Sequence, residues 1–196
     1  MKSRRDENSA ATRRALLRTA RRLFAKHGFA GTGIEAIARG ARVTIGALYH
    51  HFDDKEALLL AVAEEIEQEL LARAASVDEA DPWLRLRRGF DVLLEACSAP
   101  DVQRIVFQEA PLVLGAERWR EVELRYSYGA MQGAVSELMR AGIMRSYPLE
   151  MLAPVLLALV RDSAAAIHAA KQRKTAYAQA CELVGRFLES LRSEQP

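Results

Sequence analysis

The chain has 196 residues, half of them apolar and 28% charged, with 28 Lys and Arg against 26 Asp and Glu. That length buries a substantial core, and the composition excludes wholesale disorder. Charge is divided unevenly: residues 1–56 hold 12 Lys and Arg against 6 Asp and Glu, while residues 57–196 hold 16 against 20. A basic head on an acidic body implies an anionic partner for the head, nucleic acid first among them.

Two cysteines, Cys97 and Cys181, are too few for a disulfide-stapled scaffold and lack metal-ligand spacing, which points to the reducing cytoplasm. The first residues, MKSRRDENSAATRR, have no apolar run behind them and are expected to form a charged, flexible arm rather than a secretory signal. The longest apolar run, Pro154 to Val160, is cut by Arg161 and Asp162 and falls short of the roughly 20 residues a bilayer span needs, so no membrane partner is expected.

Helical periodicity runs nearly end to end, and alternating β-branched segments are absent, which predicts an all-α fold of about nine helices. The first is expected to start at Thr12 as cap, to present Leu16, Ala20, Leu23 and Phe24 on one face and to stop at Gly28 in the left-handed conformation. Thr32 and Glu35 have capping-box spacing and open a short second helix that ends near Gly40. After a three-residue link, Thr44 caps a third short helix, and Asp53-Asp54 caps a long fourth running to about Ala74. Asp81-Pro82 starts a fifth, Asp101 to about Leu114 forms a sixth and Glu117 to Ala141 a seventh. In the seventh, Trp119, Val122, Tyr126, Ala130 and Gly133 line one side and Leu124, Tyr128, Met131, Val135 and Leu138 another, predicting burial on both sides. The eighth helix, Pro148 to about Lys171, contains Pro154, where a kink or a late start is expected; the ninth runs from Thr175 to Arg192.

Two short helices joined by a three-residue turn are the helix-turn-helix plan, whose second helix enters the DNA major groove. Here that helix is Thr44 to His50. Leu48 and Phe52, four residues apart, share the inner face with Val43, which leaves Thr44, Ile45, Gly46, Tyr49 and His50 facing out. Thr44 and the free N–H groups behind it suit a phosphate oxygen. Gly46 allows close approach of the backbone. Tyr49 can bond phosphate and lay its ring on a sugar or thymine methyl, while His50, His51 and Lys55 can reach neighbouring phosphates.

The stretch TGIEAIARGARVTIGALYHHFDDKEALLLAV closely resembles the DNA-binding segment of the TetR (tetracycline-repressor-like) family of bacterial transcriptional regulators. The likeness covers residues 12–62, and its V-T-x-G-x-L-Y-x-H-F-x-x-K-E-x-L core is highly specific. The resemblance implies a dimeric repressor with a DNA-binding domain at residues 1–56 and a ligand-binding and dimerisation domain at residues 57–196. It also implies DNA contacts from Thr44, Gly46, Tyr49, His50, His51 and Lys55. Two positions depart from the family pattern. Arg42 stands at a turn position often glycine in the family, where it adds a phosphate contact, and Ile45 stands at an often polar position, where it offers a thymine methyl contact.

In the ninth helix Tyr177, Cys181, Val184, Leu188 and Leu191 are spaced alternately four and three apart, a heptad-like seam that predicts a homodimer interface and hence a palindromic operator in double-stranded DNA. The same spacing also suits packing on the chain's own core. The fifth to eighth helices offer Phe90, Leu94, Phe107, Trp119, Tyr126 and Met131 to line a cavity for a small, largely apolar inducer, with Arg161, Asp162 and His168 as its polar groups. No cofactor and no metal is expected, since His50 and His51 are adjacent and point apart on a helix. No nucleophile–base constellation or phosphate loop favours an enzyme. Two other readings share these features: a ligand-insensitive regulator or activator of the same fold, and a helical small-molecule-binding protein or enzyme without DNA binding.

Overall fold

The structure, a computed structural model, describes residues 4–193. Nine helices occupy the described residues: α1 Arg4–His27, α2 Ile34–Ala41, α3 Ile45–His51, α4 Lys55–Ala75, α5 Pro82–Cys97, α6 over 100–114, α7 over 116–140, α8 Leu149–Ala169 and α9 Arg173–Leu191. The all-α reading holds, and the one β feature among the described residues is an isolated bridge between Met144 and Arg192.

The local signals explain most of the boundaries. Gly28 takes φ 75° after α1, a left-handed stop that glycine reaches without steric cost. Thr44 caps α3 and Asp81 caps α5, each accepting from the N–H three residues on. Three expectations are corrected. Thr12 lies inside α1, which already runs from Arg4, so residues 4–11 are helix rather than arm; residues 1–3 lie outside the described residues. The N-cap of α2 is Gly33 with no side-chain bond, because the Thr32 hydroxyl donates to the Gly28 carbonyl at 2.7 Å. Pro154 sits six residues into an unbroken α8.

The seventh helix is corrected as well. It is not buried on two sides; its buried face changes stripe. Trp119 and Val122 are buried before a π-helical turn at Leu124–Tyr128, and Met131, Val135 and Leu138 after it, while Leu124, Ala130 and Gly133 are exposed. A π turn inserts one residue into the helix and rotates everything that follows relative to what precedes it, so one face of contact draws on two stripes of sequence. A second π turn, Ile105–Glu109, interrupts α6.

The helices gather into two compact units, residues up to Ile66 with Pro100–Trp119, and Glu67–Ala99 with the residues from Arg120 on. In the first, Leu16, Ala20 and Phe24 of α1 are buried with Ile37 of α2, Leu48 of α3, Leu58 and Val62 of α4, and Ile105 and Val106 of α6. Arg21 on α1 forms an ion pair with Asp101 on α6 at 2.8 Å. In the second, α5, α8 and α9 pack together through Trp83, Phe90, Leu94, Leu156, Val160, Ala164, Val184 and Leu188. The Trp83 Nε1–H donates to Glu189 at 2.9 Å. By length and composition α8 could cross a bilayer, the one such helix among the described residues, although the sequence reading found none. It carries Arg161 and Asp162 on its exposed side and six buried residues on the other.

Candidate DNA-binding surface

The surface is built on the turn between α2 and α3. Arg42 closes α2 in the left-handed region at φ 60° and ψ 41°, the one non-glycine residue with positive φ among those described, at a steric cost of about 1–2 kcal/mol. Its side chain is exposed. Val43 N–H then returns to the Ala38 carbonyl at 3.0 Å, which fixes the turn and delivers Thr44 in extended conformation as the cap of α3. The Thr44 Oγ1 accepts from the Ala47 N–H at 3.0 Å, leaving its hydroxyl proton to donate outward.

Leu48 is fully buried and Phe52 nearly so, and this pins α3 by one face. The opposite face holds Ile45 at 43% and Tyr49 at 51% exposure, two large apolar side chains that the protein's own core does not use. Gly46 is exposed between them, and a Cβ there would meet only Thr44 Oγ1 at 3.9 Å. Internal packing therefore does not require this glycine. His50 is exposed and His51 half-buried, their rings 5.4 Å apart and steeply inclined. The Arg13 guanidinium of α1 stacks 5.2 Å from the centre of the Phe52 ring. Burial, then His50, then Arg13 lower the His51 imidazole from the ordinary histidine value. Arg13 is a member of this corner that sequence reasoning missed, because its contact spans nearly 40 residues of chain. Arg14, Arg18, Arg22, Lys26 and Arg39 are exposed elsewhere on the same unit.

Lys55, expected from the sequence at a phosphate, makes internal contacts. Its ammonium donates to the Phe29 carbonyl at 2.9 Å and the Thr32 carbonyl at 3.1 Å and lies 4.2 Å from the centre of the Phe29 ring. Two of its three hydrogens are thus committed to the α1–α2 connection.

The residues expected to line a ligand cavity are divided between the two units. Phe107 and Trp119 belong to the first unit, and Phe90, Leu94, Tyr126 and Met131 to the second. Phe90, Leu94 and Met131 are buried, and the Tyr126 hydroxyl accepts from the Gln68 amide at 3.1 Å. The three polar candidates are corrected. Arg161 and Asp162 are exposed, with side chains at 53% and 70%, and pair with each other. His168 Nδ1 lies 3.1 Å from the Ser98 carbonyl, which also accepts from Arg173 at 2.7 Å, so His168 caps the end of α5. The heptad-like seam is corrected as well. Val184, Leu188 and Leu191 are buried within the second unit, and the half-buried Tyr177 donates to the Asp91 carbonyl at 3.2 Å. Cys181, beside it, is half-buried. The exposed apolar residues of the same pair of helices are Met151 and Val155 on α8 and Leu183 and Phe187 on α9.

Two short helices around a tight turn, the second pinned by one face and presenting aromatic, aliphatic, hydroxyl and imidazole groups on the other, define a helix-turn-helix DNA-binding protein. Residues 16–62 match the family described as bacterial regulatory proteins, tetR family, and residues 83–191 match the tetracyclin repressor-like C-terminal domain. The chain belongs to the TetR family and is a DNA-binding regulator of transcription. It is 29% identical over 159 residues to the transposon Tn10 TetC protein of Escherichia coli, covering 79% of each chain. It is 29% identical over 135 residues to the transcriptional repressor AcnR of Corynebacterium efficiens, covering 69% of this chain and 65% of that one. The crystal structure of a TetR-family regulator from Pectobacterium atrosepticum, 29% identical, superposes with a TM-score of 0.72 and full coverage of both chains.

Proposed function

We propose that the protein is a cytoplasmic, homodimeric repressor that holds a palindromic operator through residues 1–56 and releases it when a small, largely apolar molecule binds the body formed by residues 57–196. The observation that carries this reading is the outer face of α3, where Ile45 and Tyr49 stand in solvent around Gly46 while Leu48 is fully buried. In the complex, Ile45 and the Tyr49 ring meet base edges and thymine methyls; Arg42, the Thr44 hydroxyl, the Tyr49 hydroxyl, His50 and His51 meet phosphates. Lys55 holds the α1–α2 connection to the start of α4.

Dimerisation uses the exposed apolar face of α8 and α9, with Met151, Val155, Leu183 and Phe187 in place of the seam read from spacing. Two α3 helices about 34 Å apart then meet successive major grooves. The ligand binds within the second unit among α5, α7 and α8, and selects a conformation in which α4 tilts, changing the separation of the two α3 helices. The likeness to AcnR, a transcriptional repressor, and the family match support the regulatory part of this reading. The test is a titration of the purified protein on DNA flanking its own gene and on scrambled DNA at several salt concentrations. The proposal predicts saturable binding, steeply weakened by salt and absent on scrambled DNA, and release by at least one apolar compound that raises the melting temperature. Equal affinity for both DNAs, or a stabilising compound that leaves operator affinity unchanged, contradicts it.

A further inference from the structure

Along the outer side of α8, Met151, Val155, the half-buried Ala158, Asp162, Ala165 and Ala169 follow one another at alternating steps of four and three residues. The stripe is apolar or small except at its middle, where Arg161 and Asp162 stand side by side in solvent. They are the only charged residues between Met151 and Ala169, and His168 is turned inward to the Ser98 carbonyl. The Arg161 Nε reaches Asp162 Oδ1 at 2.9 Å. Neighbours in sequence diverge by about 100° around a helix and do not face each other, so this pair is formed by bending one side chain round to the next. On α9 the contrast is plain: Arg186 and Glu182 pair at 2.7 Å across one turn, the spacing at which a helix brings opposite charges together.

We propose that Arg161 and Asp162 are a self-complementary ionic key for homodimerisation, each charge being claimed in the dimer by its opposite on a second copy of this chain. The inference rests on the dimer reading given above. A two-fold axis brings the middle of a face against the middle of the same face, and a central acid beside a central base is satisfied by its own image. The charges cancel within each copy, which argues against an anionic or cationic partner on this face. An apolar surround shields a pair in the interface more than it shields the same pair in water, so a mismatched copy meets like charge at the centre of the contact. The key thus selects this chain over other proteins carrying a similar apolar face.

The test uses full-length wild type, Arg161→Glu and Asp162→Arg in sedimentation equilibrium, alone and mixed. Both positions are exposed, and circular dichroism melts check that the single chains fold alike. The proposal predicts a wild-type dimer, homodimer dissociation constants raised about tenfold or more in each variant, and recovery of wild-type affinity when the acidic variant is mixed with the basic one. A dimeric wild type whose variants self-associate as tightly and mix statistically overturns the ionic key alone. A wild type that stays monomeric throughout overturns the dimer reading and the key with it.

Discussion

Glu67 is a buried carboxyl, 4% exposed, whose neighbours include the Ser127 hydroxyl and the Glu123 carboxylate. Burial first and Glu123 second push it up to about 7 from its ordinary 4.5, with the Ser127 hydrogen bond offsetting part of the rise. A carboxyl raised on folding contributes stability that is fully present below its unfolded value and lost as pH rises through about 7, the whole span being worth about 3 kcal/mol. Glu67→Gln removes the ionisable group but keeps the shape. It is expected to raise the melting temperature at pH 8 relative to wild type and to change it little at pH 5, and identical melting curves across that range would refute the assignment. Burial first and the nearby Glu67 second push the Cys97 thiol up to about 12. Glu67 itself was not legible in the sequence. Among Glu64, Glu65, Glu67 and Glu69 it reads as one more acid on a solvated helix, and only the packing reveals which of the four turns inward.

At the scale of elements, caps and short-range spacing were readable because their causes are local. Thr44 before an apolar run, and Leu48 four residues ahead of Phe52, fix both the start of α3 and the face it buries, and therefore the face it leaves out. Contacts across the chain were not readable. Thr32 has the spacing of a capping residue, yet its hydroxyl turns back to Gly28, and Lys55 carries a family signature while its ammonium serves the α1–α2 connection. In α7 the two apolar stripes were visible, but the π turn that joins them into one face leaves no composition signal. Lys55→Ala removes two charge-assisted hydrogen bonds and a ring contact, and is expected to cost about 2–3 kcal/mol of stability in urea denaturation. A wild-type midpoint would show that the tie contributes nothing. Its loss of DNA binding should follow its loss of folded protein, unlike that of a residue on the outer face of α3.

For the whole molecule, the basic head and acidic body set the sign of long-range attraction, with 12 cationic residues against 6 anionic ones before position 57. Charge supplies affinity that any phosphate backbone can draw on; choice of sequence falls to the few side chains on α3 that the fold leaves in water. The central claim is that this face, through Tyr49, binds the operator, and it is tested most directly by fluorescence anisotropy on operator DNA with Tyr49→Ala. Leu124→Ala serves as control, since Leu124 is 45% exposed, close to Tyr49 at 51%, and lies on α7. Tyr49→Ala should lose about tenfold or more in affinity with an unchanged melting temperature, while Leu124→Ala binds as wild type. Wild-type operator affinity in Tyr49→Ala, at the same salt and with the same melting temperature, would contradict the account.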